Sequence, residues 1–244
     1  MEKIVYFARH GQSLANAAAI FQPPESPLSV TGRWQASRLA RRVSKLAVQA
    51  LLSSPLERAK QTAHAIAETT GLEPEYSGLF VERIKPPSIN GKPFADEEAQ
   101  TVWAEWNKSL YTPGMRVGGG ENFDDLIARA AAALALLEAR AEASIAVVTH
   151  GYFLRTMVAC AVLGDMLSGT AFKRFQRVAG MENTGLAAMR YGEVSGGERG
   201  WRVLFYNDHA HLSGCDCAAA LSRRPRPKGF SHRLPPKAFS NGSR

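Results

Sequence analysis

Two runs of this 244-residue chain end in the same way. IVYFARHG, Ile4 to Gly11, and IAVVTHG, Ile145 to Gly151, each lead an apolar stretch into a histidine followed by glycine, and Arg9 precedes the first histidine. A third apolar run, AVQALLS, leads into Ser54-Pro55-Leu56-Glu57-Arg58, which reads as a helix start. Ser54 suits a cap, Pro55 the first helical position and Glu57 the acid of a capping box. Arg58 then falls in the first turn, at the positive end of the helix dipole. His10, His150, Arg9, Arg58 and a helix N-terminus together would form a concave site rich in donors and positive charge. A phosphoryl group is the ligand that best suits such a site.

For these residues to meet, the chain must bring distant strand ends to one edge. Apolar runs alternate with helical patterns, the sign of an α/β fold in which a mostly parallel central sheet is covered by helices as a three-layer α/β/α sandwich. Strands are predicted at about 3–9, 47–53 and 144–149, with the β-rich stretches 184–191 and 201–206 completing the sheet. Trp34, Leu39, Val43 and Leu46 fall near one helical face, and Arg33, Arg38, Arg41 and Arg42 largely on the other, as in a surface helix packed on a sheet. The carboxyl ends of parallel strands line one edge, where ligand crevices form, so His10 and His150 are expected to approach each other.

Residues 79–121 interrupt the alternation with Pro86, Pro87, Pro93 and Pro113, a helical stretch at 95–111 and the hinge-like run Gly118-Gly119-Gly120. Such an insertion reads as a helical cap over the site. Trp103 and Trp106, at helical spacing, read as packing residues within it, and Lys85 as a residue able to reach a leaving group. A further helix at about 122–142 opens with Asp124 and Asp125, favourable at its positive end.

Composition narrows the classes further. With 45% hydrophobic residues the chain can bury a substantial core. Its longest apolar runs fall short of the roughly 20 residues of a membrane span, and the N-terminal run is too short for a signal-peptide core. Three cysteines suggest no disulfide framework, so a cytoplasmic protein is expected. His209, His211, Cys215 and Cys217 match no zinc spacing, and no metal site is assigned. The formal charge of +8 is concentrated at the end: residues 213–244 hold seven basic residues and one acid, which leaves only +2 for residues 1–212. A nucleic-acid-binding face is therefore not indicated. The domain reading is a catalytic unit at 1–212 and a basic, Pro-rich, disordered tail at 213–244.

The ordered motifs resemble the histidine phosphatase superfamily, the phosphoglycerate mutase-like proteins. They are Arg9-His10-Gly11 with Asn16, Pro27-Leu28-Ser29-Val30-Thr31-Gly32 leading to Gln35-Ala36, and Ser53-Ser54-Pro55-Leu56-Glu57-Arg58-Ala59 with Gln61-Thr62-Ala63. Glu82, Gly120-Glu121, Thr149-His150-Gly151, Asn183-Thr184-Gly185 and Asn207-Asp208-His209-Ala210-His211-Leu212 follow in order. The resemblance covers residues 3 to about 212.

It implies that His10 attacks phosphorus and that water hydrolyses the resulting phosphohistidine. The nucleophile must be neutral, a state that neighbouring Arg9 and Arg58 favour, and the same guanidiniums can follow the charge of the transition state without a metal or other cofactor. His150 would contact another phosphate oxygen, and Asn16 would supply a neutral hydrogen bond. Glu82, beyond the apolar Leu79-Phe80-Val81, is the candidate acid for the leaving oxygen and then the base for water; the plainer alternative is a surface acid paired with Arg83. The chain departs from the best-known mutase pattern in Arg83-Ile84-Lys85-Pro86-Pro87-Ser88 and shows no long phosphoglycerate-specific insertion. The expected activity is hydrolysis of a small phosphomonoester. A phosphoglycerate mutase-type phosphotransferase is the alternative, and a non-catalytic adaptor using the basic tail is a more distant one.

Overall fold

The central strands form where the apolar runs are, because each has both faces to bury. In the computed structural model, which describes residues 2–213, the chain runs β1 (Lys3–Arg9), α1 (Leu14–Ala18), α2 (Val30–Val43), β2 (Ala50–Ser53), α3 (Glu57–Thr70) and β3 (Pro74–Tyr76). It continues α4 (Glu97–Lys108), α5 (Phe123–Ala139), β4 (Ser144–Thr149), α6 (Gly151–Leu163), α7 (Gly169–Val178), β5 (Leu186–Glu193) and β6 (Arg199–Asp208). The strands form one sheet in the order β3-β2-β4-β1-β5-β6. β3-β2, β2-β4 and β4-β1 pair in parallel, whereas β1-β5 and β5-β6 are antiparallel. The fold is thus α/β with a mixed sheet.

The period-2 alternation of a strand sorts the core into two faces. Val5, Phe7, Leu52, Ile145 and Val147 pack with Leu126, Leu137, Phe153 and Met157 of α5 and α6. Ala8, Leu51, Ala146 and Val148 pack with Leu39, Val43, Ala63 and Ile66 of α2 and α3. The arginine face read on α2 is less free than the sequence implies, since Arg38 Nε donates to the His211 carbonyl at 3.0 Å and Arg42 pairs with Asp208.

α3 corrects one sequence reading. It begins at Glu57 with Leu56 as its N-cap and no side-chain cap, so Ser54 does not initiate the helix. Residues 79–121 contain α4, and their Ile89, Ala99, Val102 and Trp103 form with Phe21, from the segment between α1 and α2, a small cluster distinct from the two sheet faces. Trp106 is a packing residue: Arg83 stacks 3.5 Å from its ring, and its Nε1 donates to the Glu121 carbonyl. Gly120 answers to that packing, because a Cβ there would lie 2.4 Å from Trp106 Nε1. The tail expectation for 213–244 lies, beyond Ser213, outside the described residues.

Two contacts anchor the ends of β1. At its start Lys3 Nζ donates to the carbonyls of Leu137, Glu138 and Arg140 at the end of α5, at 2.9, 2.7 and 2.5 Å. After its end, the backbone at Gly11 and Gln12 lies directly on the first turn of α2. A Cβ on Gly32 would fall 1.9 Å from the Gln12 carbonyl oxygen, and one on Gly11 would fall 2.5 Å from that of Gly32. Gly32→Ala should therefore cost about 3 kcal/mol, at the upper end of overpacking costs, whereas Gly78→Ala, with open space around it, should stay within about 0.5 kcal/mol. Urea unfolding of the two variants checks both; equal midpoints would contradict this close approach.

Candidate active site

The parallel β1-β4 ladder extends one residue past β1, with His10 N donating to the Thr149 carbonyl at 3.0 Å. That places His10 and His150, the residues after each strand, with ring centroids 5.0 Å apart. His10 is 2% exposed. Its Nδ1 donates to the Gly11 carbonyl at 2.6 Å, and Arg58 Nε donates to its Nε2 at 3.3 Å. Together these assign the proton to Nδ1 and the lone pair to Nε2. Burial first, then the charges of Arg58 and Arg9, hold His10 well below the usual histidine range. The imidazole is neutral, as a nucleophile must be.

His150 is fully buried and caps α6. Its Nε2 lies 2.8 Å from Ser54 Oγ, which also accepts from Leu56 N at 3.2 Å. With the Ser54 proton given to Nε2, the ring proton falls on Nδ1. That atom is buried without a hydrogen-bond partner in the structure. Burial, followed by Arg58, His10 and Arg9, also pushes His150 well below the usual range. A buried N–H left unpaired costs about 1–3 kcal/mol, a cost that an entering acceptor such as a phosphoryl oxygen removes.

The two guanidiniums converge on these rings. Arg58 is 3% exposed and is pushed down to about 10, chiefly by burial against the opposing charge of Glu82. It also donates from Nη1 to the Pro23 carbonyl at 3.3 Å. The Arg9 side chain lies along Gly151: a Cβ there would sit 3.1 Å from its Cδ and Nε. The glycine that follows His150 thus makes room for the arginine that precedes His10. Arg9 Nη1 donates to the Met181 carbonyl at 2.6 Å.

Glu82 sits at the N-terminus of α6, accepting from Tyr152 N at 3.2 Å, Phe153 N at 2.9 Å and Arg83 N at 3.1 Å. The plainer reading of a Glu82–Arg83 surface pair does not hold. The Arg83 guanidinium turns to Asn107 Oδ1, Ser109 Oγ and the carbonyls of Trp106 and Glu121. Asn16 forms a reciprocal capping box with Ser13 at α1. Its carboxamide oxygen is occupied there, so only its Nδ2 is left for a phosphate. Lys85 Nζ donates to the Gln22 carbonyl at 2.5 Å, and burial and Arg58 push it down to about 8.

Three residues in contact with the site carry no assigned site role in the sequence. Ser54, read there as a cap, supports His150. Thr62 Oγ1 accepts from Gly11 N at 3.1 Å and donates to the Arg58 carbonyl at 2.7 Å. Asn183 Nδ2 donates to the His10 carbonyl at 3.0 Å. The signal available for Thr62 and Asn183 is their presence in Gln61-Thr62-Ala63 and Asn183-Thr184-Gly185.

Two buried imidazoles flanked by two guanidiniums at the ends of adjacent parallel strands define a phosphatase-class enzyme. Residues 5–209 match the model of the histidine phosphatase superfamily, branch 1, and the chain belongs to that superfamily. It is 32% identical over 216 residues to the probable phosphoglycerate mutase GpmB of Photorhabdus laumondii, covering 85% of this chain and 94% of that protein. The same identity and coverage hold for the protein of that name from Yersinia pestis. Among solved structures, a mycobacterial glucosyl-3-phosphoglycerate phosphatase with VO3 superposes at a TM-score of 0.68 with 24% identity, covering 84% of this chain and 99% of that one. A phosphoserine phosphatase variant from Entamoeba histolytica with phosphoserine gives 0.67 and 22%, covering 86% and 99%. Among the described residues no helix is long and apolar enough to cross a membrane.

The depressed histidines carry a pH signature. Between the folded and unfolded pKa values the unfolded chain binds more protons, so stability rises with pH through that window and falls as pH drops below about 6.5. Each imidazole should contribute up to about 1.4 kcal/mol per pH unit. Urea midpoints between pH 7 and 5 test this, and His10→Gln should flatten the slope; an identical slope in that variant would refute a buried neutral His10.

Proposed function

We propose that the protein is a metal-independent phosphomonoesterase working through a phosphohistidine on His10. The observation that carries this reading is the 5.0 Å pairing of two imidazoles, with Arg58 directed at His10 Nε2. In the reaction Nε2 of His10 attacks phosphorus as the ester P–O bond breaks, and the leaving oxygen takes a proton from Glu82. Water then attacks the phosphohistidine, giving its proton to the Glu82 carboxylate and releasing phosphate and neutral His10. Arg9 and Arg58 supply the positive charge and paired donors that follow the transferring group, and His150 donates from Nδ1 to a phosphoryl oxygen. Asn16 offers its Nδ2 to the same group. Residues 79–121 act as a cap, from which Lys85 reaches the leaving group; the catalytic unit is 1–212.

The substrate class is a small phosphorylated metabolite, as the names of the similar proteins suggest. The two relatives named probable phosphoglycerate mutase favour a second reading, phosphotransfer back to substrate. Isomerised product in excess of free phosphate, with dependence on a bisphosphate primer, would select it.

Phosphate release from a panel of phosphoesters should persist in chelator and fall about a thousandfold or more in His10→Ala. Equal release from both proteins would remove His10 from its role. Glu82→Gln should slow alkyl esters about a hundredfold but activated aryl esters far less, because only a poor leaving group needs the proton; uniform slowing would argue against proton donation.

A further inference from the structure

Thr184 is a β-branched residue in left-handed backbone, with φ at 57°, a conformation that costs about 1–3 kcal/mol unless its surroundings enforce it. It is fully buried, and four hydrogen-bonding partners hold it. Its N–H donates to the carbonyls of Arg9 at 3.0 Å and His10 at 3.3 Å. Its hydroxyl donates to the Asn183 carbonyl at 2.7 Å and lies 3.1 Å from His211 Nε2. On the other side of that ring, Arg42 Nη1 donates to His211 Nδ1 at 3.5 Å. Since Arg42 can only donate, Nδ1 is the acceptor and Nε2 carries the proton that Thr184 Oγ1 accepts. Burial and Arg42 push His211 down to about 4, so the ring is neutral.

The bonds therefore run in one direction, from Arg42 through His211 and the Thr184 hydroxyl to the Asn183 carbonyl, while Asn183 Nδ2 donates to the His10 carbonyl. The peptide joining His10 to Gly11 is held at both ends. Asn183 and Thr184 N take its carbonyl, and Thr62 Oγ1 takes its N–H. The next carbonyl, that of Gly11, is the acceptor for His10 Nδ1. Rotation of the 10–11 peptide would swing this acceptor away, remove the stronger of the two contacts that fix the ring tautomer and leave only the longer Arg58 donor on Nε2.

The geometry points to His211 and Thr184 as positioning residues for the nucleophile, acting through Asn183 and the 10–11 peptide to keep the proton of His10 on Nδ1. The kinetic part of this rests on the phosphohistidine reading; the tautomer part does not. The test uses the full chain with His211→Ala, Thr184→Val, their double variant and Thr184→Ser. The readouts are single-turnover phosphohistidine formation from p-nitrophenyl phosphate, steady-state kcat and KM, thermal midpoint, and the 15N shifts of the His10 ring.

Each single variant should lower phosphohistidine formation and kcat about tenfold with KM within twofold. The double variant should be no slower than the slower single, as expected for groups acting in series. Thr184→Ser, which keeps the hydroxyl, should retain native rates, and the His10 15N pattern should change from one tautomer to a mixture in the two singles and the double variant but not in Thr184→Ser. Unchanged kcat and tautomer in His211→Ala would overturn the proposal even if Thr184→Val failed to fold. Multiplying losses in the double variant, or losses that merely track the thermal midpoint, would overturn it as well. A native chain that forms no phosphohistidine would refute the phosphatase reading alone, and the ring shifts would still decide the role of His211 and Thr184.

Discussion

The register between β1 and β4 is the constraint on which the site rests. Arg9 pairs with Thr149 in a parallel ladder, and the residue after each is a histidine. Because side chains alternate along a strand, a slip of one residue would turn every β1 side chain to the opposite face and carry His10 away from His150. The slip is opposed by burial on both faces of the sheet, where Phe7 and Ala8 already belong to different cores. The apolar residues thus serve catalysis indirectly: their packing selects the one register in which two imidazoles meet.

Electrostatics then determines what the meeting can do. The site gathers Arg9, Arg58 and Lys85 against Glu82, and burial lowers the proton affinity of both imidazoles and of Arg58 and Lys85. Arg9, Arg58, Lys85 and Glu82 together carry an excess of positive charge. A phosphoryl dianion offsets it, and the donors are already aimed before the charge arrives, which is the basis of electrostatic preorganisation. Ser54 illustrates the economy of the design, since one hydroxyl occupies Nε2 of His150 while Nδ1 is buried without a partner.

Much of this was readable from the chain. β1 and β4 occupy the predicted 3–9 and 144–149 because a strand buried on both faces reads as a continuous apolar run. β3 was not readable: Pro74-Glu75-Tyr76 is short, mostly exposed and without alternation. The start of α3 was misplaced because Ser54-Pro55 has every local mark of a helix cap. What overrides the pattern is a hydrogen bond to His150, 96 residues away. The same limit applies to Glu82, whose amide donors at Tyr152 and Phe153 lie 70 and 71 residues along the chain. Local pattern identifies strands and strand ends; partners that arrive from other segments are set by topology, which no window of sequence displays.

Lys3 extends this dependence beyond the site. Its ammonium is locked onto three carbonyls at the end of α5, while the far end of the same strand carries His10, about 20 Å away at the usual rise of a strand. β1 is clamped lengthwise at both termini and flanked by β4 and β5, so it behaves as a strut rather than a tether. The aim of the imidazole then depends on contacts along the full length of β1. A change that loosens the remote lysine clamp would blur the position of His10, the proposed nucleophile, without altering any of the groups proposed to meet the substrate.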